Sequence, residues 1–138
     1  MLFRSIRREV TCEAAGHPRA RLDLLLSDGP TEETLVEVKN VTLLEGETLR
    51  FPDAESLRAL KHLDVLNAAL DRGSRAALIF ALNRPEGKRF APAEGIHPKY
   101  AERLREVSGR GVEIYALRIV HTPTGMSGNE LVPIELNG

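Results

Sequence analysis

Glu37-Val38-Lys39 sets a carboxylate and an amine two residues apart in a run rich in Val, Leu and Thr. Strand side chains repeat every two residues, so Glu37 and Lys39 share a face. Asp23, in the middle of an earlier strand-like run, can project toward the same side. Buried charge is costly unless it is paired or binds a metal. Carboxylate oxygens are the preferred ligands of magnesium, and the backbone carbonyl of Val38 could add one more oxygen. Lys39 would then orient an attacking water or neutralise charge developing on a phosphate. Asp23, Glu37 and Lys39 are therefore the candidate catalytic residues, and Asp23, Glu37 and Val38 the candidate ligands of Mg²⁺ or Mn²⁺. The competing reading is an ordinary Lys–Glu pair on a solvated sheet face.

The elements that must position these groups are legible in outline. Residues 5–12, 20–26 and 35–43 alternate and carry β-formers, with turn signals at 14–18 and 27–30, which predicts an antiparallel meander. In the third run Val36 and Val38 face one way and Glu37, Lys39 and Val41 the other. Gly46 and Pro52 break the next segment. Leu57, Leu60, Leu63, Leu66 and Leu70 recur at helical steps across 56–72, and Gly73 is a stop signal. The unbroken apolar run 76–82 predicts a strand covered on both faces. Pro98 opens a second helix with Tyr100, Leu104 and Val107 on one side. A strand follows over 112–120, then a loop over 122–129 and an edge segment at 131–134, where Pro133 cannot donate to a central ladder. Helices between strand runs predict parallel crossovers, hence an α/β fold with a mixed sheet and helices on its faces.

The composition narrows the class. At 138 residues the chain has room for one domain with a real core. Apolar residues at 42% and charged residues at 28% match a globular protein, and no stretch has the length to span a membrane. Cys12 stands alone, so neither an internal disulfide nor a thiolate zinc site is expected. With charged residues following at once on the N-terminus and no visible leader, a cytoplasmic chain is expected. The net charge of −1 argues against a large electrostatic footprint on nucleic acid, so DNA binding would need a local patch or a partner. The first 22 residues offer one in Arg4, Arg7, Arg8, Arg19 and Arg21, opposed by Glu9 and Glu13; a plain solvated face is the alternative.

Several segments carry a family resemblance. Val36-Glu37-Val38-Lys39-Asn40-Val41-Thr42-Leu43 resembles the central signature of the sugar fermentation stimulation protein (SfsA) family. So do Phe51-Pro52-Asp53-Ala54 with Arg58 and Lys61-His62-Leu63, Ile6 to Val10, Arg21 to Leu26, Phe90 to Ala93, Pro98 to Ala101, and Gly111-Val112-Glu113. The resemblance covers nearly the whole of 1–138 and implies a restriction-endonuclease-like fold of the PD-(D/E)xK superfamily. It also implies Asp23 and Glu37 as metal ligands and Lys39 as the catalytic lysine. Glu9 is implied as a further acid, with Arg58, Lys61 and His62 near a scissile phosphate and Arg7, Arg8 and Arg21 on nucleic acid. Family members look like a fusion of an N-terminal OB-type barrel to the nuclease-like part, and the resemblance implies only the second of these for residues 1–138, with the barrel expected to be absent. The helix that precedes the first strand in the family is likewise expected to be missing. His97 stands where the family has Asp, and Pro85-Glu86 replaces a Ser-Asp-like pair. An uncovered sheet face favours a homodimer or an accessory chain. Two functions follow as expectations: a metal-dependent nuclease-like domain acting on DNA phosphodiesters, or a non-catalytic DNA-binding regulator of sugar metabolism.

Overall fold

The computed structural model describes residues 5–14, 17–27 and 33–137, with side chains from residue 33 onward. In chain order the elements are β1 (Ser5–Ala14), β2 (His17–Ser27), β3 (Glu33–Val41), β4 (Leu43–Glu45), β5 (Thr48–Phe51), α1 (Leu57–Asp71), β6 (Arg75–Leu82), β7 (Arg89–Pro92), α2 (Pro98–Arg110), β8 (Glu113–Thr122) and β9 (Gly125–Leu131). The main sheet has six strands in the order β1-β2-β3-β6-β8-β9. β1, β2 and β3 run antiparallel, as the meander requires. β3, β6 and β8 run parallel, with α1 and α2 as the crossovers. This is the α/β architecture that the periodicity predicted, a mixed sheet flanked by helices.

Local chemistry sets the helix ends. The Ser56 hydroxyl accepts from the Ala59 amide at 3.0 Å and caps α1. Past its end, Gly73 adopts φ 81, and the amides of Gly73 and Ser74 return to the carbonyls of Leu70 and Ala69. Pro98 sits at the start of α2, where its missing N–H costs nothing. Both helices pack on one face of the main sheet, against Leu35, Leu78, Phe80, Leu82 and Ala116.

The expected cover of 76–82 on both faces is met on one only, since Ile79 and Ala81 on the face of β6 away from the helices are half-buried, and four further sequence expectations change. Residues 43–51 are not merely broken: β4 and β5 form a hairpin around Gly46, and β7 joins β5 in parallel as a second, three-stranded sheet. These strands are only three or four residues long, too short for alternation to be read. The third strand of the meander ends at Val41 rather than Leu43. The expected loop at 122–129 contains β9, whose ladder with β8 overrides the weak propensity of Gly-Met-Ser-Gly-Asn. The edge segment at 131–134 reduces to the end of β9 and a single bridge, Phe90 to Ile134.

Aromatic contacts join the two sheets to each other and to α2. Phe80 of β6 stacks on Phe90 of β7 at 4.2 Å between centroids, and Phe51 of β5 bridges Phe80 and Tyr100. Arg118 of β8 fixes the β6–β7 connection. Its guanidinium donates to the carbonyls of Arg84 (2.8 Å), Pro85 (3.1 Å), Glu86 (3.0 Å) and Gly87 (2.5 Å) and to the Glu130 carboxylate (2.8 Å). No helix among the described residues is long and apolar enough to cross a membrane.

Replacing Arg118 leaves the carbonyls to water and frees the loop. Arg118→Met is expected to lower stability by about 2 kcal/mol, the scale of charge-assisted hydrogen bonds. Urea unfolding measures that loss, and limited proteolysis should show new cleavage within 84–87.

Candidate functional site

β3 pairs in parallel with β6, with Glu37 opposite Leu78 and Lys39 opposite Phe80. Leu78 and Phe80 are core residues on the helix-covered face, so the pleat carries Glu37 and Lys39 to that face as well. Val38 points the other way and is 36% exposed. Any contribution from Val38 to a site with Glu37 is therefore through its backbone.

Glu37 is 2% exposed, which excludes the solvated-face reading. His62, from the middle of α1, is also buried, and its Nδ1 lies 2.5 Å from Glu37 Oε2. The same Nδ1 lies 2.8 Å from Lys39 Nζ, while Nζ is 3.8 Å from Glu37 Oε2. One ring nitrogen carries either a proton or a lone pair. With a proton, Nδ1 donates to the carboxylate and Lys39 acts on Glu37 through its charge. With a lone pair, Nδ1 accepts from the ammonium and the short contact needs a proton on Glu37. The first arrangement keeps a carboxylate beside an ammonium but sets the Nδ1 proton against the Nζ donor, so Nδ1 hydrogen-bonds one of its two partners at a time.

Behind them sits Tyr100 of α2, fully buried, its hydroxyl without a hydrogen-bond partner among the described residues. Burial, and then the negative charge of Glu37, push its phenol far above the ordinary tyrosine range. By its spacing Tyr100 is one member of an apolar helix face. Nothing in its spacing marks it as a neighbour of Glu37, since that proximity depends on α2 folding back over the sheet.

The remaining candidates separate by strand and helix. The pair Leu24↔Val36 puts Asp23 and Glu37 each one residue further along adjacent strands. Glu9 and Asp23 both fall between the pairs Arg8↔Leu24 and Val10↔Leu22. Glu9, Asp23 and Glu37 therefore occupy one register row across β1, β2 and β3. The side chains of Glu9, Asp23, Arg7, Arg8 and Arg21 lie outside the described residues; their backbones belong to β1 and β2. On α1, only His62 reaches Glu37 in the contacts described. Arg58 is exposed, and Arg58 and Lys61 line a surface groove with Asp64 and Arg103. Among the described residues, no three His, Cys, Asp or Glu side chains gather as a metal cluster. His97 occupies the N-cap position of α2, and its Nε2 meets the carbonyl of Ser56 at 3.3 Å, a structural tie between the two helix starts.

Comparisons with known proteins agree with one another. The sequence profile described as "Sugar fermentation stimulation protein RE domain" matches residues 2–125. A sugar fermentation stimulation protein homolog of Lawsonia intracellularis is 44% identical over 115 residues, covering 83% of this chain and 44% of its own. A homolog from Geobacter metallireducens is 42% identical over 134 residues, covering 97% and 56%. The chain thus spans about half the length of these relatives. Among solved structures, Pyrococcus furiosus SfsA in complex with Ca²⁺ superposes with a TM-score of 0.79 at 32% identity, over 94% of this chain and 54% of that one.

Tyr100 makes the alkaline limit of the fold predictable. An unfolded tyrosine ionises near pH ~10. Because the folded group holds its proton to higher pH, its contribution is complete below that value and is lost as pH rises beyond it. In a phenolate absorbance titration Tyr115, raised by its hydrogen bond to Glu113 and by burial, is expected to ionise first. Tyr100 should ionise only together with unfolding. Tyr100→Phe, which discards an unbonded hydroxyl, should move the alkaline unfolding midpoint to higher pH.

Proposed function

This chain belongs to the sugar fermentation stimulation protein family, and from that premise we propose that it is a metal-dependent nuclease-like domain acting on DNA phosphodiesters. The observation that carries the reading is the burial of Glu37 against Lys39 and His62 on the central strand. Folding alone gains little from such a cluster, because well-packed apolar residues of similar volume usually serve stability as well or better.

The residues fit a hard divalent cation. Glu37 offers a carboxylate, and the acids at Asp23 and Glu9 share its register row. Asp23 and Glu37 would hold Mg²⁺ or Mn²⁺, with the Val38 carbonyl as a further oxygen. The ion, when bound, supplies Lewis-acid polarisation of a phosphoryl oxygen and a more acidic water. The Ca²⁺ complex of the Pyrococcus furiosus relative supports metal binding in general.

The chain's own groups do the rest. Lys39 keeps 15% of its side chain exposed, and its ammonium would meet a phosphate oxygen brought to that opening. There it would neutralise charge that grows on the phosphoryl group. His62 holds Glu37 and Lys39 in mutual register from α1, a positioning role. Tyr100 is fully buried and close enough to Glu37 to feel its charge. The Arg cluster in β1 and β2 is assigned to the nucleic-acid backbone.

The family's name favours a second reading, a DNA-binding regulator that does not cut. A single experiment separates the two. Single-stranded, double-stranded and branched DNA are incubated with the protein and Mn²⁺ or Mg²⁺, and binding is followed in parallel at rising salt. The nuclease reading expects cleavage, reduced at least about a hundredfold by Lys39→Ala and by Glu37→Gln. Glu37→Gln should at the same time lower the thermal midpoint while keeping a native-like circular dichroism spectrum, since it takes the carboxylate away from the Lys39 ammonium in a poorly solvated pocket. Salt-sensitive binding without cleavage of any substrate would overturn catalysis and leave the regulatory reading.

A further inference from the structure

We propose that this chain pairs with a second copy of itself along β9, joining two main sheets edge to edge. This stands independently of the nuclease reading, because it rests on the far edge of the sheet. The two edges of the main sheet, β1 and β9, are built differently. β1 carries Arg7, Arg8, Glu9 and Glu13, the kind of charges that protect an edge from unwanted pairing. β9 reads Gly-Met-Ser-Gly-Asn-Glu-Leu, with no Pro, no Lys and one charge, Glu130. That charge is already held by Arg118 of the same chain at 2.8 Å. Two copies can therefore approach along β9 without a net repulsion between their edges.

The faces agree with the edges. Both helices cover one face of the sheet, and Val38, Tyr115, Met126 and Leu131 stand exposed; of these, Met126 and Leu131 lie on β9 and are 70% and 65% exposed. The register with β8 sets Met126, Gly128 and Leu131 opposite His121, Ile119 and Leu117, on the face away from the helices. Gly128 leaves its space to the Leu117 side chain, which lies 2.9 Å from where a Cβ would stand. Antiparallel pairing of two identical strands about a twofold axis near Gly128 sets Met126 of each copy beside the Glu130–Leu131 end of the other. The contact is self-complementary and closes at two copies, so it yields a dimer and no fibre. Main-chain hydrogen bonds would supply affinity and the Met and Leu pairs the packing.

Sedimentation equilibrium and amide hydrogen exchange on the wild-type chain test this together. The expected result is a dimer whose β9 amides become protected as concentration rises. Met126→Lys with Leu131→Lys, two exposed sites, should weaken dimerisation at least about tenfold while leaving the circular dichroism spectrum in place. A monomer throughout the micromolar to millimolar range would overturn the proposal. So would a dimer whose β9 amides exchange freely, and that readout does not depend on the variant folding.

Discussion

The constraint around which this fold is arranged is a carboxylate taken out of water. Glu37 stands in the central strand of the sheet, under α1 and α2, at a position that strand periodicity alone would give to Val or Leu. A buried carboxylate without compensation costs several kcal/mol. Lys39 and His62 offset that cost from two directions, one from two residues along the same strand and one from the helix that follows. The crossover that makes β3 and β6 parallel is what delivers α1 to this spot. The second sheet and its aromatic bridge through Phe51, Phe80 and Phe90 bring α2, and with it Tyr100, against the far side of the pocket.

Nδ1 of His62 lies within hydrogen-bond distance of both Glu37 and Lys39, so the middle of α1 is tied to β3 through one ring nitrogen. The arrangement explains why a histidine in the middle of a Leu-rich helix is buried instead of facing solvent. It also gives the Lys39 ammonium a fixed direction, which a lysine on an open surface lacks.

What the sequence disclosed follows from the range of the forces involved. The i, i+2 repeat and the Val-rich context of 35–41 were enough to put Glu37 and Lys39 on one face, and the leucine spacing and Gly73 bounded α1 to within a residue. The resemblance to the sugar fermentation stimulation family reached the right family and fold because its motifs are spread over nearly the whole chain. It grouped Arg58, Lys61 and His62 together, yet only the helical phase of His62 turns it toward Glu37. β4, β5 and β7 escaped notice because strands of three or four residues have no readable period, and β9 because its pairing with β8 is a tertiary effect. Tyr100 beside Glu37 was beyond local reasoning, since these two residues meet only through the packing of α2.

The central claim is that the charge buried at Glu37 is kept to hold a divalent cation together with Asp23. Calorimetric titration of the purified chain with Mn²⁺ tests it without any substrate. The account predicts a saturable site of one ion per chain that is lost in both Glu37→Gln and Asp23→Asn, each still folded by circular dichroism. A wild-type chain that binds no Mn²⁺, or a Glu37→Gln chain that binds it unchanged, would contradict the account.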